Sequence, residues 1–103
     1  MSIVQDILRE EEKRLKILLD KYYIELKGYP KGSLSRKKRG NSFYVYLVYR
    51  NGKRVIFQYI GKDDSDPVKE ILQRIKKRKE LENKIKKVES DLKEVKRGLR
   101  GNK

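Results

Sequence analysis

The stretch Phe43-Tyr44-Val45-Tyr46-Leu47-Val48-Tyr49-Arg50-Asn51-Gly52-Lys53-Arg54-Val55-Ile56-Phe57-Gln58-Tyr59-Ile60 decides the fold. Two β-branched and aromatic runs flank an Asn-Gly pair, the strongest short-range signal for a β-hairpin. A two-residue type I′ turn at Asn51-Gly52 needs positive φ at both central positions. It would set Arg50 opposite Lys53 and Val48 opposite Val55. Side chains alternate along a strand, so one face carries Tyr44, Tyr46, Val48, Arg50, Lys53, Val55, Phe57 and Tyr59. The other carries Phe43, Val45, Leu47, Tyr49, Arg54, Ile56, Gln58 and Ile60. The second is richer in aliphatic side chains and is the expected core face.

Upstream, Ser33 to Lys38 can pair with the first hairpin strand through a turn at Gly40-Asn41, which places Leu34 beside Leu47. Arg36 and Lys38 then share the core face, an apparent conflict. A bulge or a three-residue turn at Arg39-Gly40-Asn41 would reverse that strand's sides, so its facing stays open at this stage.

Outward from the sheet, the pattern changes to helical. Ser2 and Gln5 have the form of a capping box, and Ile3, Ile7, Leu8, Leu15, Leu18, Leu19, Tyr22 and Leu26 recur at helical spacings. The reading is a helix over 3–27, closed by Gly28, Pro30 and Gly32, with glycine supplying a left-handed cap. After the sheet (33–61), Asp66 is a good N-cap and Pro67 suits the first helical position. A helix over 67–97 follows, with Val68, Ile71, Leu72 and Ile75 as its first stripe. Leu81, Ile85, Val88, Leu92, Val95 and Leu99 form a heptad-like second stripe. Between them lies Lys76-Lys77-Arg78-Lys79-Glu80, where the stripe slips in phase and Arg78 falls at a seam position. At 1.5 Å per residue this helix is longer than an eight-residue strand by roughly 18 Å. Its distal half must pack on the first helix or on another chain. Residues 98–103 read as a flexible tail. The expected architecture is α+β in a single domain: helix, three-stranded antiparallel meander, long helix.

Composition bounds the chemistry. The 103 residues contain 29 Lys and Arg, 15 Asp and Glu, and no Cys, His or Trp, for a net charge of +14. Without Cys there are no disulfides or thiol nucleophiles, and without His the commonest general base and zinc ligand are gone. No enzyme activity, metal or cofactor is expected. No signal-peptide pattern and no run of about 20 apolar residues occur, so the expected location is the cytoplasm, away from membranes. Richness in Lys, Arg and Glu without Cys also fits the composition bias of hyperthermophiles.

That bias does not explain where the charge sits. Residues 1–27 hold six basic and six acidic side chains, 28–62 hold nine basic and no acidic ones, and 63–103 hold fourteen and nine. An acid-free centre leaves its cations without local partners and attracts polyanions. The acidic run Asp63, Asp64 and Asp66 could hold a hard cation, but helix capping explains it more simply. Lys31-Gly32-Ser33 and Gly61-Lys62 lack the glycine spacing of a phosphate loop. Tyr44, Tyr46 and Tyr59 read either as an exposed platform for stacking bases, edged by Lys37, Arg50 and Lys53, or as core beneath a helix.

The runs Tyr29-Pro30-Lys31-Gly32-Ser33-Leu34, Tyr44 to Lys53, and Gln58-Tyr59-Ile60-Gly61-Lys62 resemble a small uncharacterised domain family of archaea and bacteria. The resemblance spans about residues 25–85. It implies a helix, a Pro-Gly-Ser-Leu-like lead-in, a Tyr-rich hairpin and a second basic helix. Some members carry a cysteine cluster in the first loop; this chain has none, so no zinc site is implied. The order of elements is also loosely similar to the three-stranded-sheet DNA-binding domains of tyrosine recombinases, which lay the sheet in the major groove.

The expected function is non-catalytic nucleic-acid binding, DNA in preference to RNA. Arg36, Lys37, Lys38, Arg39, Arg50, Lys53 and Lys62 would meet phosphates, and Tyr44, Tyr46 and Tyr59 would lie beside them. The rival is a protein-interaction module, with the C-terminal helix pairing two copies as a homodimer or binding another chain, and the Tyr-rich face recruiting an acidic partner.

Overall fold

The computed structural model describes residues 2–101 and is α+β, as the sequence predicts. Helix α1 (Ile3–Leu26) precedes three strands, β1 (Ser33–Arg39), β2 (Ser42–Asn51) and β3 (Arg54–Lys62), and helix α2 (Asp66–Gly101) ends the fold. The strands form an antiparallel sheet in the order β1-β2-β3. Contacts group the chain into two compact units. One holds α1 with α2 from Glu80 onward, the other residues Tyr29–Lys79. Among the described residues, no helix is long and apolar enough to cross a membrane.

Within the sheet unit, β2 is the central strand and its alternation sets the two faces. Val45 and Leu47 are buried, and Tyr44 and Tyr46 on the other face are not. The expected core face is therefore the observed one. β1 pairs Leu34 with Leu47 and Arg36 with Val45, the register of a plain two-residue turn, with Gly40 at φ 62°. The hairpin differs from expectation. Asn51 pairs with Arg54 and Val48 with Phe57, so the turn residues are Gly52 and Lys53. Positive φ occurs at Gly52 (64°) and not at Asn51. A turn with glycine at its first central position needs only that one positive φ, so Asn51 stays in the strand and adds a cross-strand pair. The partners move by two residues, and the faces keep their composition. A second departure lies between Val45–Gly61 and Tyr46–Tyr59, where the register shifts by one residue and leaves Ile60 as a β-bulge.

The bulge turns Gly61 onto the Val45 face, where α2 begins. A methyl group at Gly61 would lie 2.8 Å from Ser65 Oγ and 3.6 Å from Val68 Cγ2, so a larger residue here would have to displace the Ser65 hydroxyl. The helix starts one residue earlier than predicted. The Ser65 carbonyl accepts the first helical bond from the Lys69 amide at 3.1 Å, which puts the cap at Ser65 rather than Asp66. Arg78, buried on α2, donates from Nη1 to the Tyr29 carbonyl at 2.9 Å. It thereby fixes the lead-in to β1.

The helical unit is an antiparallel pairing of α1 with distal α2. Ser2 caps α1 by accepting from the Gln5 amide at 3.1 Å. At the other end, the Gly28 amide bonds to the Glu25 carbonyl at 3.0 Å. Gly28 is not left-handed; of the predicted terminators it is Gly32, at φ 122°, that takes positive φ. The tight turn closes the helix without a left-handed cap. Leu15, Val88 and Leu92 form the buried cluster, flanked by Leu18, Leu19, Tyr22 and Val95. The heptad-like stripe of α2 is thus covered by α1 in the same chain. Desolvation first, and then the Glu89 carboxylate that accepts its hydrogen bond, raise the Tyr23 phenol pKa above its ordinary value. Gly98 approaches the Leu8 side chain, whose Cδ1 would be 3.2 Å from an added methyl. Because α1 extends this far, residues 98–101 stay helical instead of forming the predicted tail; residues 102–103 lie outside the described residues.

Gly32 combines a positive φ with a close approach: an added Cβ would sit 2.3 Å from the Val48 carbonyl oxygen. Gly32→Ala is expected to lower unfolding stability by at least about 2 kcal/mol through strain and clash. Urea denaturation followed by circular dichroism checks this, with Gly40→Ala, where nothing lies within 4 Å, as the milder control.

Candidate nucleic-acid interface

The open face of the sheet follows from register alone. β1 contributes Ser33, Ser35, Lys37 and Arg39, and β2 contributes Tyr44, Tyr46, Val48 and Arg50. β3 contributes Val55, Phe57 and Tyr59, and beyond the bulge Lys62, paired with Tyr44. No carboxylate stands among them. Val55, Phe57 and Tyr59 are each half-exposed and Tyr44 and Tyr46 are partly buried, so this face is not closed as a core beneath a helix.

The rings form one cluster. Tyr46 and Tyr59 meet edge to face with centroids 5.5 Å apart, and Tyr44 and Tyr59 are tilted at 6.3 Å. Both are favoured aromatic geometries. Lys37 Nζ sits 4.4 Å from the Phe57 centroid and 5.4 Å from that of Tyr46, a cation held over two π faces. With no acid on the face, aromatic quadrupoles are what this ammonium finds. A phosphate would offer it a full negative charge.

Of the residues singled out from the sequence, Lys37, Arg39, Tyr44, Tyr46, Arg50, Tyr59 and Lys62 share this face. Lys53 lies in the hairpin turn at its end. Arg36 and Lys38 lie on the opposite face. Arg36 is committed there: its Nη2 donates to Asp63 Oδ2 at 2.6 Å, and its guanidinium stacks 4.5 Å from the Phe43 centroid. The Asp63 amide in turn donates to the Phe43 carbonyl at 2.9 Å. That ring and that carboxylate resolve the conflict of an arginine on the core face. They also engage the aspartate considered for a cation. Among the described residues, no three acidic side chains converge as a metal site.

Phe57 is the residue that sequence reasoning placed on the right face but not in the platform. The signal was its alternation with Val55 and Tyr59. What sequence could not supply was Lys37 above its ring, which depends on the β1 register across β2.

The cations Arg36 and Arg78, bonded to a carboxylate and a carbonyl, differ from those of the open face, and stability measurements separate them. Arg78→Ala is expected to cost roughly 2 kcal/mol, because it removes a buried side chain together with its charge-assisted bond to a partly buried carbonyl. Arg36→Ala is expected to cost about 1 kcal/mol, since its ion pair is partly solvated. Lys37→Ala and Arg50→Ala should stay within about 0.5 kcal/mol of the parent chain. Chemical denaturation of the four variants gives the ordering.

Comparison with known proteins adds one finding. No curated protein and no solved structure matches the chain. The family match runs over residues 5–73, from α1 through the sheet into proximal α2. It begins earlier and ends earlier than the resemblance read from the hairpin motifs, and it lends no support to the likeness to recombinase sheet domains. With a match over most of its length, the chain belongs to the family described as a domain of unknown function, DUF6788.

Proposed function

We propose that this protein is a non-catalytic nucleic-acid-binding module, and that the open face of the sheet is its binding surface. The observation that carries the reading is the coincidence on one uncovered face of four aromatic rings (Tyr44, Tyr46, Phe57, Tyr59) with Lys37, Arg39, Arg50 and Lys62, without a single acid. Phosphate contacts would supply affinity through counterion release. The half-exposed rings of Phe57 and Tyr59 offer stacking surfaces to bases. Arg50 and Lys53, at the hairpin tip, would enter a groove ahead of the sheet.

Arg36 is a weaker candidate than its neighbours, because its guanidinium already has a carboxylate and a ring. The reading therefore moves the centre of binding from the basic run Arg36–Arg39 to Lys37 and its aromatic surroundings.

Fluorescence anisotropy with labelled duplex DNA, single-stranded DNA and an RNA hairpin, each across a salt series, tests the proposal. If about five cations meet phosphate, log affinity should fall against log salt with a slope of roughly −4.5 on duplex DNA, or about −3.5 on single strands. Lys37→Glu combined with Arg50→Glu should abolish binding. Tyr59→Ala should cost at least about 1 kcal/mol if bases stack, and much less if only the backbone is touched. Slopes shallower than about −2 on all three substrates, or loss of all binding at physiological salt, would overturn the reading in favour of an acidic protein partner.

A further inference from the structure

Helix α1 has a second apolar stripe that its packing on α2 leaves uncovered. Ile7 and Ile17 are 59% exposed, Ile24 69% and Ile3 78%. These isoleucines lie on a different face from Leu15, Leu18, Leu19 and Tyr22, which pack in the α1–α2 core. With Glu10, Arg14 and Lys21 they occupy successive positions at alternating spacings of four and three, the seam pattern of a coiled coil. The seam reads Ile3, Ile7, Glu10, Arg14, Ile17, Lys21, Ile24.

We propose that this seam binds a second copy of the same chain, with the two α1 helices antiparallel. The charges choose both partner and direction. A parallel pair would set Glu10 against Glu10, Arg14 against Arg14 and Lys21 against Lys21. An antiparallel pair stacks Ile7 on Ile24 of the second copy, Glu10 on Lys21 and Arg14 on Ile17, and the two-fold axis repeats each contact. Glu10 of each copy thus meets Lys21 of the other, and Arg14, already paired with Glu11 of its own helix, lies against Ile17.

The rest of the chain argues for the same place. At +14 per copy, association opposes strong mutual repulsion, but residues 1–27 hold equal numbers of acids and bases. This is the segment whose net charge does not oppose the meeting of two copies. The heptad-like stripe of α2 is not free for the purpose, since Val88 and Leu92 are buried against Leu15 within the chain. The homodimer contact expected from the sequence therefore moves from α2 to the outer face of α1.

Sedimentation equilibrium of the full chain over a concentration series tests the proposal, with helix content monitored by circular dichroism. The expected result is a dimer that Ile17→Asp converts to monomer with unchanged helix content. Glu10→Lys alone should weaken the dimer at least tenfold, because it opposes two cations. Adding Lys21→Glu should restore it. The chain has no cysteine of its own, so crosslinking gives a second readout that does not depend on tolerance of charge. Ile7→Cys with Ile24→Cys should form covalent dimers on oxidation, and Ile7→Cys alone should not, since in this register the two copies of residue 7 lie about 25 Å apart. A chain that stays monomeric at all concentrations, a dimer indifferent to Ile17→Asp and Glu10→Lys, or crosslinking through Ile7→Cys alone would overturn it.

Discussion

Everything in the sheet unit depends on the burial of two side chains, Val45 and Leu47, on the central strand. Strand side chains alternate with a period of two, so burying these residues forces Tyr44, Tyr46 and Val48 to the other side. β1 and β3 then follow by register, and with them Lys37, Arg39, Phe57 and Tyr59. Both the apolar core and the aromatic, acid-free surface come from this one constraint. A slip of one residue would bury the tyrosines and expose the valine and leucine.

A chain this basic must also decide which cations belong to its structure. Arg36 and Arg78 are the clearest cases. Arg36 sits on the core side of the sheet because Phe43 offers its ring and Asp63 its carboxylate. Arg78 stands in the apolar stripe of α2, buried, and donates to the partly buried Tyr29 carbonyl. Arginine suits both places, since its planar group stacks and donates while remaining charged. The lysines and arginines of the open face have no acidic neighbour there, which is why that surface, and not the basic runs as such, bears the proposed function.

The long helix shows how one sequence pattern can serve two cores. From Val68 to Ile75 its apolar side chains belong to the sheet unit, and from Leu81 onward to the pairing with α1. The phase slip visible at Arg78 marks the change. Three-residue steps on both sides of Arg78 rotate the stripe away from a strict heptad. The element stays one continuous helix, because nothing in Lys76–Glu80 breaks it.

Fold class, element order, the two chemically distinct faces of the hairpin and the acid-free centre were all legible in the sequence. Each depends on local pattern: alternation, spacing, capping and charge distribution. The candidate site was legible in part: alternation grouped Tyr44, Tyr46, Arg50 and Tyr59, whereas the facing of Lys37 stayed open because the turn at Gly40-Asn41 allowed two registers. Tertiary structure decided what depends on residues far apart in the chain. The Ile60 bulge brought Lys62 to the aromatic face, and the β1 register set Lys37 over Phe57. Asp63 drew Arg36 to the other side, and α1 covered the stripe of α2 while leaving its own isoleucines exposed. Periodicity tells which residues share a face but not what that face meets, because the partner is chosen by packing between segments that the local sequence does not connect.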